Sequence, residues 1–158
     1  MNRKALKNEA LDFIKSNRVG AFATVDKKNV PHVAVVYCYV DDDLSIYFMT
    51  RVEARKHKNL IAHPIVSMSF SDSSSMKTVQ LTGKAKVIDD LKESQDVMYK
   101  LFTMRFKDQN STNPPLQLFE RGLSTELAVI KVVPAEMVFA NFKQLVSGRY
   151  KPFFNEVI

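Results

Sequence analysis

The order of apolar and polar positions changes period several times along the chain, and each change predicts an element. From Lys4 to Asn17, the residues Ala5, Leu6, Ala10, Leu11, Phe13 and Ile14 recur at helical spacing with charge between them, which predicts a packing helix. Arg18 to Val25 (RVGAFATV) switches to strand character, and Asp26-Lys27-Lys28-Asn29 supplies a turn before Val30-Pro31 opens the next strand. Val33 to Val40 (VAVVYCYV) is a near-continuous apolar run, as expected of a strand covered on both faces. Three aspartates, Asp41 to Asp43, punctuate the start of a further strand at Leu44 to Met49, which Thr50 ends.

Glu53 to Ile61 then suits a brief amphipathic helix, closed by His63-Pro64. Ile65 to Phe70 alternates as a half-buried strand should, and a serine-rich turn breaks it. Thr78 to Ile88 is long for a strand and contains Gly83, which predicts a bend or bulge where a sheet curls. Asp89 to Phe106 carries Leu91, Val97, Met98, Leu101 and Phe102 on one face and predicts another helix, followed by a polar loop from Lys107 to Pro115. Leu116 to Leu123 is ambiguous, Glu126 to Val133 is a strand that Pro134 interrupts, and Glu136 to Phe142 continues extended toward a tail at Lys151 to Ile158. About six strands and two or three helices follow, consistent with a mainly β fold: a mostly antiparallel β-barrel with flanking helices.

Composition changes this picture little. The 158 residues show no internal repeat and no linker, so residues 1–158 are expected to form one domain. An excess of six positive charges permits nucleic acid, an acidic membrane surface or a phosphorylated small molecule as partner, and selects none. The aromatics fall mostly at alternating strand positions and are not interleaved with basic residues, so no nucleic acid is expected. Charges throughout the first twelve residues and the absence of a long apolar run predict no signal peptide, no membrane span and a cytoplasmic location. Cys38, the single cysteine, excludes an internal disulfide and reads as a buried, inert thiol. His57 and His63 lie six apart without clustered carboxylates, so no metal site is expected. No glycine-rich dinucleotide, P-loop or nucleophile-elbow pattern is present.

The candidate chemistry sits in Leu44 to Phe70. A strand end, the Thr50 hydroxyl, the free N–H groups of a helix start and the cations Arg51, Arg55, Lys56 and Lys58 form a plausible anion cradle. The stretch FMTRVEARK resembles the phosphate-binding segment of the pyridoxamine 5′-phosphate oxidase-like, FMN-binding split-barrel family, with Thr50, Arg55 and Lys56 on the family's pattern. FIKSNRVGAFATVDKKNVPHVAVV is similar to that family's opening helix and first hairpin, and ELAVIKVVPAEMVFANF to its last strand.

That resemblance implies a homodimeric FMN-binding split barrel, with FMN in clefts between subunits and a flavin-dependent oxidation or reduction of a small molecule. It places Ala34, Val35, Val36 and Tyr37 against the flavin ring, Met49 and Thr50 where the next strand meets ring and ribityl phosphate, and Thr78 where members of the family often carry a Gln that reaches the ring; Gln80 shares the strand face of Thr78, and either residue could bond a ring heteroatom or simply sit on an exposed barrel strand. No side chain is named as catalytic, because the flavin carries the redox chemistry. The chain departs from the family where many oxidase members have Arg, Lys and Ser, and Ala34, Tyr39 and Ala54 stand instead; Arg51 offers a charge nearby. It has no tryptophan and lacks the C-terminal substrate-binding signature, so pyridoxamine phosphate is not the expected substrate. The rivals are a flavin- or haem-binding carrier without turnover, a deazaflavin-dependent reductase, and a basic barrel that binds polyanions.

Overall fold

The computed structural model describes residues 2–108, 126–143 and 154–158. Its elements are α1 (Arg3–Ser16), β1 (Val19–Val25), β2 (Pro31–Val40), β3 (Ile46–Arg51), α2 (Arg55–Ala62), β4 (Ile65–Asp72), β5 (Lys77–Val87), α3 (Leu91–Asp108), β6 (Leu127–Asn141) and β7 (Phe154–Glu156). The strand order is β3-β2-β1-β4-β5-β6-β7, and β6 also returns to pair with β3, so the first six antiparallel strands close a barrel and β7 pairs with β6. Closure removes the exposed edges that an open sheet would present. The expected polar loop past Asp108 and the Leu116–Leu123 stretch lie outside the described residues.

Alternation along the strands divides the apolar residues into two sets. Phe22, Phe48, Phe70 and Phe139 point into the barrel and are fully buried, with Phe22 and Phe48 rings 4.7 Å apart. The buried stripe of α1 (Leu6, Ala10, Leu11, Phe13, Ile14) joins this core, and Phe13 meets Phe139 edge-on at 6.2 Å. The other set faces outward on β2, β3 and β6: Tyr37, Tyr39, Tyr47, Met49, Leu127 and Val129 pack beneath Val97, Met98, Leu101 and Phe102 of α3. Helix α3 is thus a lid on one outer wall of the barrel, held by a core of its own.

Four expectations needed correction. The strand expected from Leu44 begins at Ile46, because Leu44 sits at φ 73° with its side chain fully buried, and the Asp41 and Asp43 carboxylates accept from the Ser45 N–H at 2.9 and 2.7 Å. That conformation is unfavourable for a non-glycine residue, and the burial of leucine's side chain opposes the cost. Pro134 does not interrupt β6. It pairs with Gly83 at a register shift between Thr82 and Gly83, a bulge where its missing N–H leaves no gap in the ladder. The helix expected to end at Phe106 runs through Lys107 to Asp108. Finally, β2 is not covered on both faces: Val33 and Val35 are 67% and 72% exposed, because α3 reaches only the far half of that strand's outer face.

The β1–β2 turn carries a pH-sensitive contact. Asp26 accepts from the backbone N–H groups of Lys28 (2.8 Å) and Val30 (3.0 Å), and its second oxygen lies 3.0 Å from His32 Nε2. The His32 contact first, then the Val30 N–H, hold its carboxyl down to about 2. A carboxylate lowered on folding stabilises the native state fully above its unfolded value near 4, and the stabilisation disappears as pH falls through about 2. Asp26→Asn is expected to flatten the loss of stability between pH 4 and 2 in acid unfolding curves; an unchanged slope would show that the turn carries no such linkage.

Candidate functional site

Where α3 overhangs β3 and the start of α2, the structure has a cleft of about 440 Å³, within the range of small-ligand sites. Its apolar walls come from Val35, Val36 and Tyr37 on β2, Met49 on β3, Leu127 on β6, and Leu101 and Phe102 on α3. At its polar end are Thr50, Arg51, Ala54 and Lys56 from the β3–α2 junction, with Arg105 from the last turn of α3. No carboxylate lines it among the described residues. One end is therefore suited to a flat apolar body and the other to an anion.

The local sequence explains the polar end. Strand β3 continues one residue past Thr50, so Thr50 is buried while Arg51 turns outward, where its guanidinium meets Glu53 at 3.1 Å. Helix α2 begins at Arg55 behind Ala54, which is extended and offers no capping side chain. The first N–H groups of such a helix lack intrahelical acceptors and carry the positive end of its dipole. Its position is fixed from below: Leu60 enters the barrel core, and buried Asn59 donates to Thr24 Oγ1 at 3.0 Å.

Of the eleven residues expected at the site, seven meet in this cleft: Val35, Val36, Tyr37, Met49, Thr50, Arg51 and Lys56. Four do not. Ala34, paired with Phe22 in the β1–β2 ladder, does not line the cleft; Arg55, one position before Lys56, is exposed and off the cleft wall. Gln80 lines a second groove, across β1, β2, β4, β5 and β6, with Ala21, Ala23 and Val33. Thr78 shares a strand face with Gln80, and its hydroxyl is buried with no hydrogen-bond partner among the described residues. Sequence reasoning missed Leu101, Phe102, Arg105 and Leu127. Leu101 and Phe102 were recognised as the apolar face of a helix, but nothing in the chain before folding says that this face would cover the β3–α2 junction.

Cys38 is buried against Phe48's strand partner position, and desolvation pushes its thiol well above the ordinary range, so it is no nucleophile. Among the described residues no group of three His, Cys, Asp or Glu could hold a metal ion, and no helix is long and apolar enough to cross a membrane.

A split barrel whose β3–α2 junction faces a helix-covered cleft defines a class, and comparison with known proteins places the chain in it. Residues 6–129 match the family model for pyridoxamine 5′-phosphate oxidase, and the chain belongs to that family. No curated protein matches it in sequence. Among solved structures, a conserved hypothetical protein from Mycobacterium tuberculosis is similar with TM-score 0.71 and 19% identity, over 88% of this chain and 86% of the other. The General Stress Protein 26 from Bacillus anthracis gives 0.65 and 18%, over 85% and 92%. An F420 reductase gives 0.61 and 20%, over 80% and 93%. At these identities the likeness concerns the fold.

Proposed function

We propose that the chain binds FMN in the cleft beneath α3 and acts as a flavin-dependent oxidoreductase on a small molecule. The observation that carries this is the convergence of an apolar slot (Val35, Val36, Tyr37, Met49, Phe102) with a cationic end (Thr50, Arg51, Lys56) in one cavity. A tricyclic ring fits the first and a ribityl phosphate the second. When bound, the flavin supplies hydride or electron transfer. The protein's part is to grip the phosphate with Lys56 and the Thr50 hydroxyl, hold the ring against β2 and β3, and limit water.

The reading includes a homodimer. Val19, Val33 and Val35 are 58%, 67% and 72% exposed on adjacent strands, in register through Val19↔Tyr37, Ala21↔Val35 and Ala23↔Val33. This apolar face runs from the cleft, through Val35, to the groove that Gln80 lines. A second copy seated there would cover the valines and bring its own Gln80 or Thr78 toward the open side of the cleft. In that arrangement two of the four residues missing from the cleft, Thr78 and Gln80, would belong to the partner's half.

A deazaflavin in the same cleft is the second reading, supported by the similarity in fold to an F420 reductase. Haem is less well served, because no histidine or cysteine lines the cleft among the described residues. Titration of the purified protein with FMN, followed by flavin absorbance and fluorescence, tests the proposal. Saturable binding with one flavin per chain, in a species of twice the 18.0 kDa chain mass, is expected. Free flavin at all concentrations would overturn it.

A further inference from the structure

Arg105 occupies an unusual place on α3. Val97, Leu101 and Arg105 succeed one another four residues apart, so the row that begins with two buried apolar side chains ends in a guanidinium on the same side of the helix. That row packs over the outer wall of β3 and β6, where Tyr47 and Met49 are followed on the same strand face by Arg51. The helix and the strand therefore each run from apolar contact into an arginine at one end of the cleft, and Lys56 joins them from α2. Three cations from three elements line one cavity, and the nearest carboxylate in an ion pair there, Glu53, engages only Arg51.

Like charges brought together repel, and their convergence without intervening carboxylates is favourable when an anion sits between them. We infer that Arg105 is part of the anion-binding end of this site, adding from α3 a third cation to Arg51 and Lys56, and that the cleft thereby selects ligands ending in a dianionic phosphate. The inference rests on the flavin reading and sharpens it. Arg105 is a binding residue in this account, and the lid helix that carries it is tied to the phosphate as well as to the ring. A flavin without phosphate would fill the apolar slot and leave the three cations without an anion to share.

The test compares FMN with riboflavin on the full chain, using Arg105→Ala, Arg105→Lys and, as a control from the same helical turn, Lys107→Ala. Arg105→Ala is expected to weaken FMN roughly tenfold, the low end for one charge-assisted bond, while riboflavin affinity stays within about twofold. Arg105→Lys is expected to recover part of the loss, and Lys107→Ala to bind FMN as the parent does. Unchanged FMN affinity in Arg105→Ala would overturn the inference and leave the flavin reading intact. A parallel fall for FMN and riboflavin would also overturn it, because that is the signature of a displaced helix. Failure of the parent protein to bind either flavin would overturn the flavin reading itself, and that arm is independent of the variants.

Discussion

Lys56→Glu is expected to weaken FMN binding by roughly a hundredfold, the largest effect of any single change at the cleft, while the fold is retained. Lys56 is the α2 cation that lines the cavity, together with buried Thr50 and with Arg105. Removing one charge-assisted bond to a phosphate costs about 1.5–3 kcal/mol, and the new carboxylate adds repulsion toward the same group. At about 1.4 kcal/mol per tenfold change the two together give the expected loss. Isothermal titration with FMN measures it, and the melting temperature of the free protein should move little, because Lys56 is partly exposed and lies outside the apolar core. Arg55→Ala, by contrast, changes an exposed side chain off the cleft wall and is the natural comparison. Equal losses from the two substitutions would mean that the cleft described here is not where the phosphate sits.

Gly83→Val is expected to be the most damaging single change to stability. A Cβ at this position would press into the carbonyl oxygen of Val133 and lie 2.9 Å from Pro134 Cα, both backbone atoms that cannot rotate away. The close approach belongs to the bulge where β5 shifts register against β6, so relief would require moving the strand pair that also carries Val132 into the core. Overpacking of this kind typically costs 1–3 kcal/mol, and a clash with two backbone atoms at a bulge places this site at about 3 kcal/mol or more. For a chain of this length that corresponds to a fall in Tm of about 6–12 °C, or a matching fall in the urea midpoint. A shift of a degree or less would show that the bulge can open without cost.

The sequence was legible where a local rule had one outcome. Gly83 in a long apolar strand marked the bulge, the 3.6-residue rows marked α1 and α3, and the strand end at Thr50 with Lys56 beyond it marked the cleft. The failures have a shared cause in contacts distant along the chain. Pro134 looked like a strand breaker because the Gly83 bulge that accommodates it lies some fifty residues earlier. Leu44 looked like a strand residue because its apolar character was read as β-propensity, whereas burial holds it in a left-handed conformation at the end of an aspartate turn. Val33 and Val35 looked covered because they are valines; within one chain they are surface. Arg105 was invisible for a related reason: a basic residue late in a helix is ordinarily solvated and favourable to the dipole, and only the docking of α3 over β3 brings it to the cavity that Arg51 lines.

The seating of α3 has a physical basis in Tyr39. Its ring packs 5.6 Å from Tyr47 and has Lys100 of α3 5.2 Å from its centre. These contacts help to hold the helix on the outer wall of β2 and β3, and the same helix carries Arg105 to the cleft.

A structure of the chain solved with FMN bound would show where the phosphate sits. The phosphate is expected within hydrogen-bond distance of Thr50 Oγ1 and Lys56 Nζ, with the ring lying along Val35, Val36 and Met49 under Phe102. FMN seated in another groove, or held by its ring with the phosphate pointing into solvent away from Lys56, would contradict it.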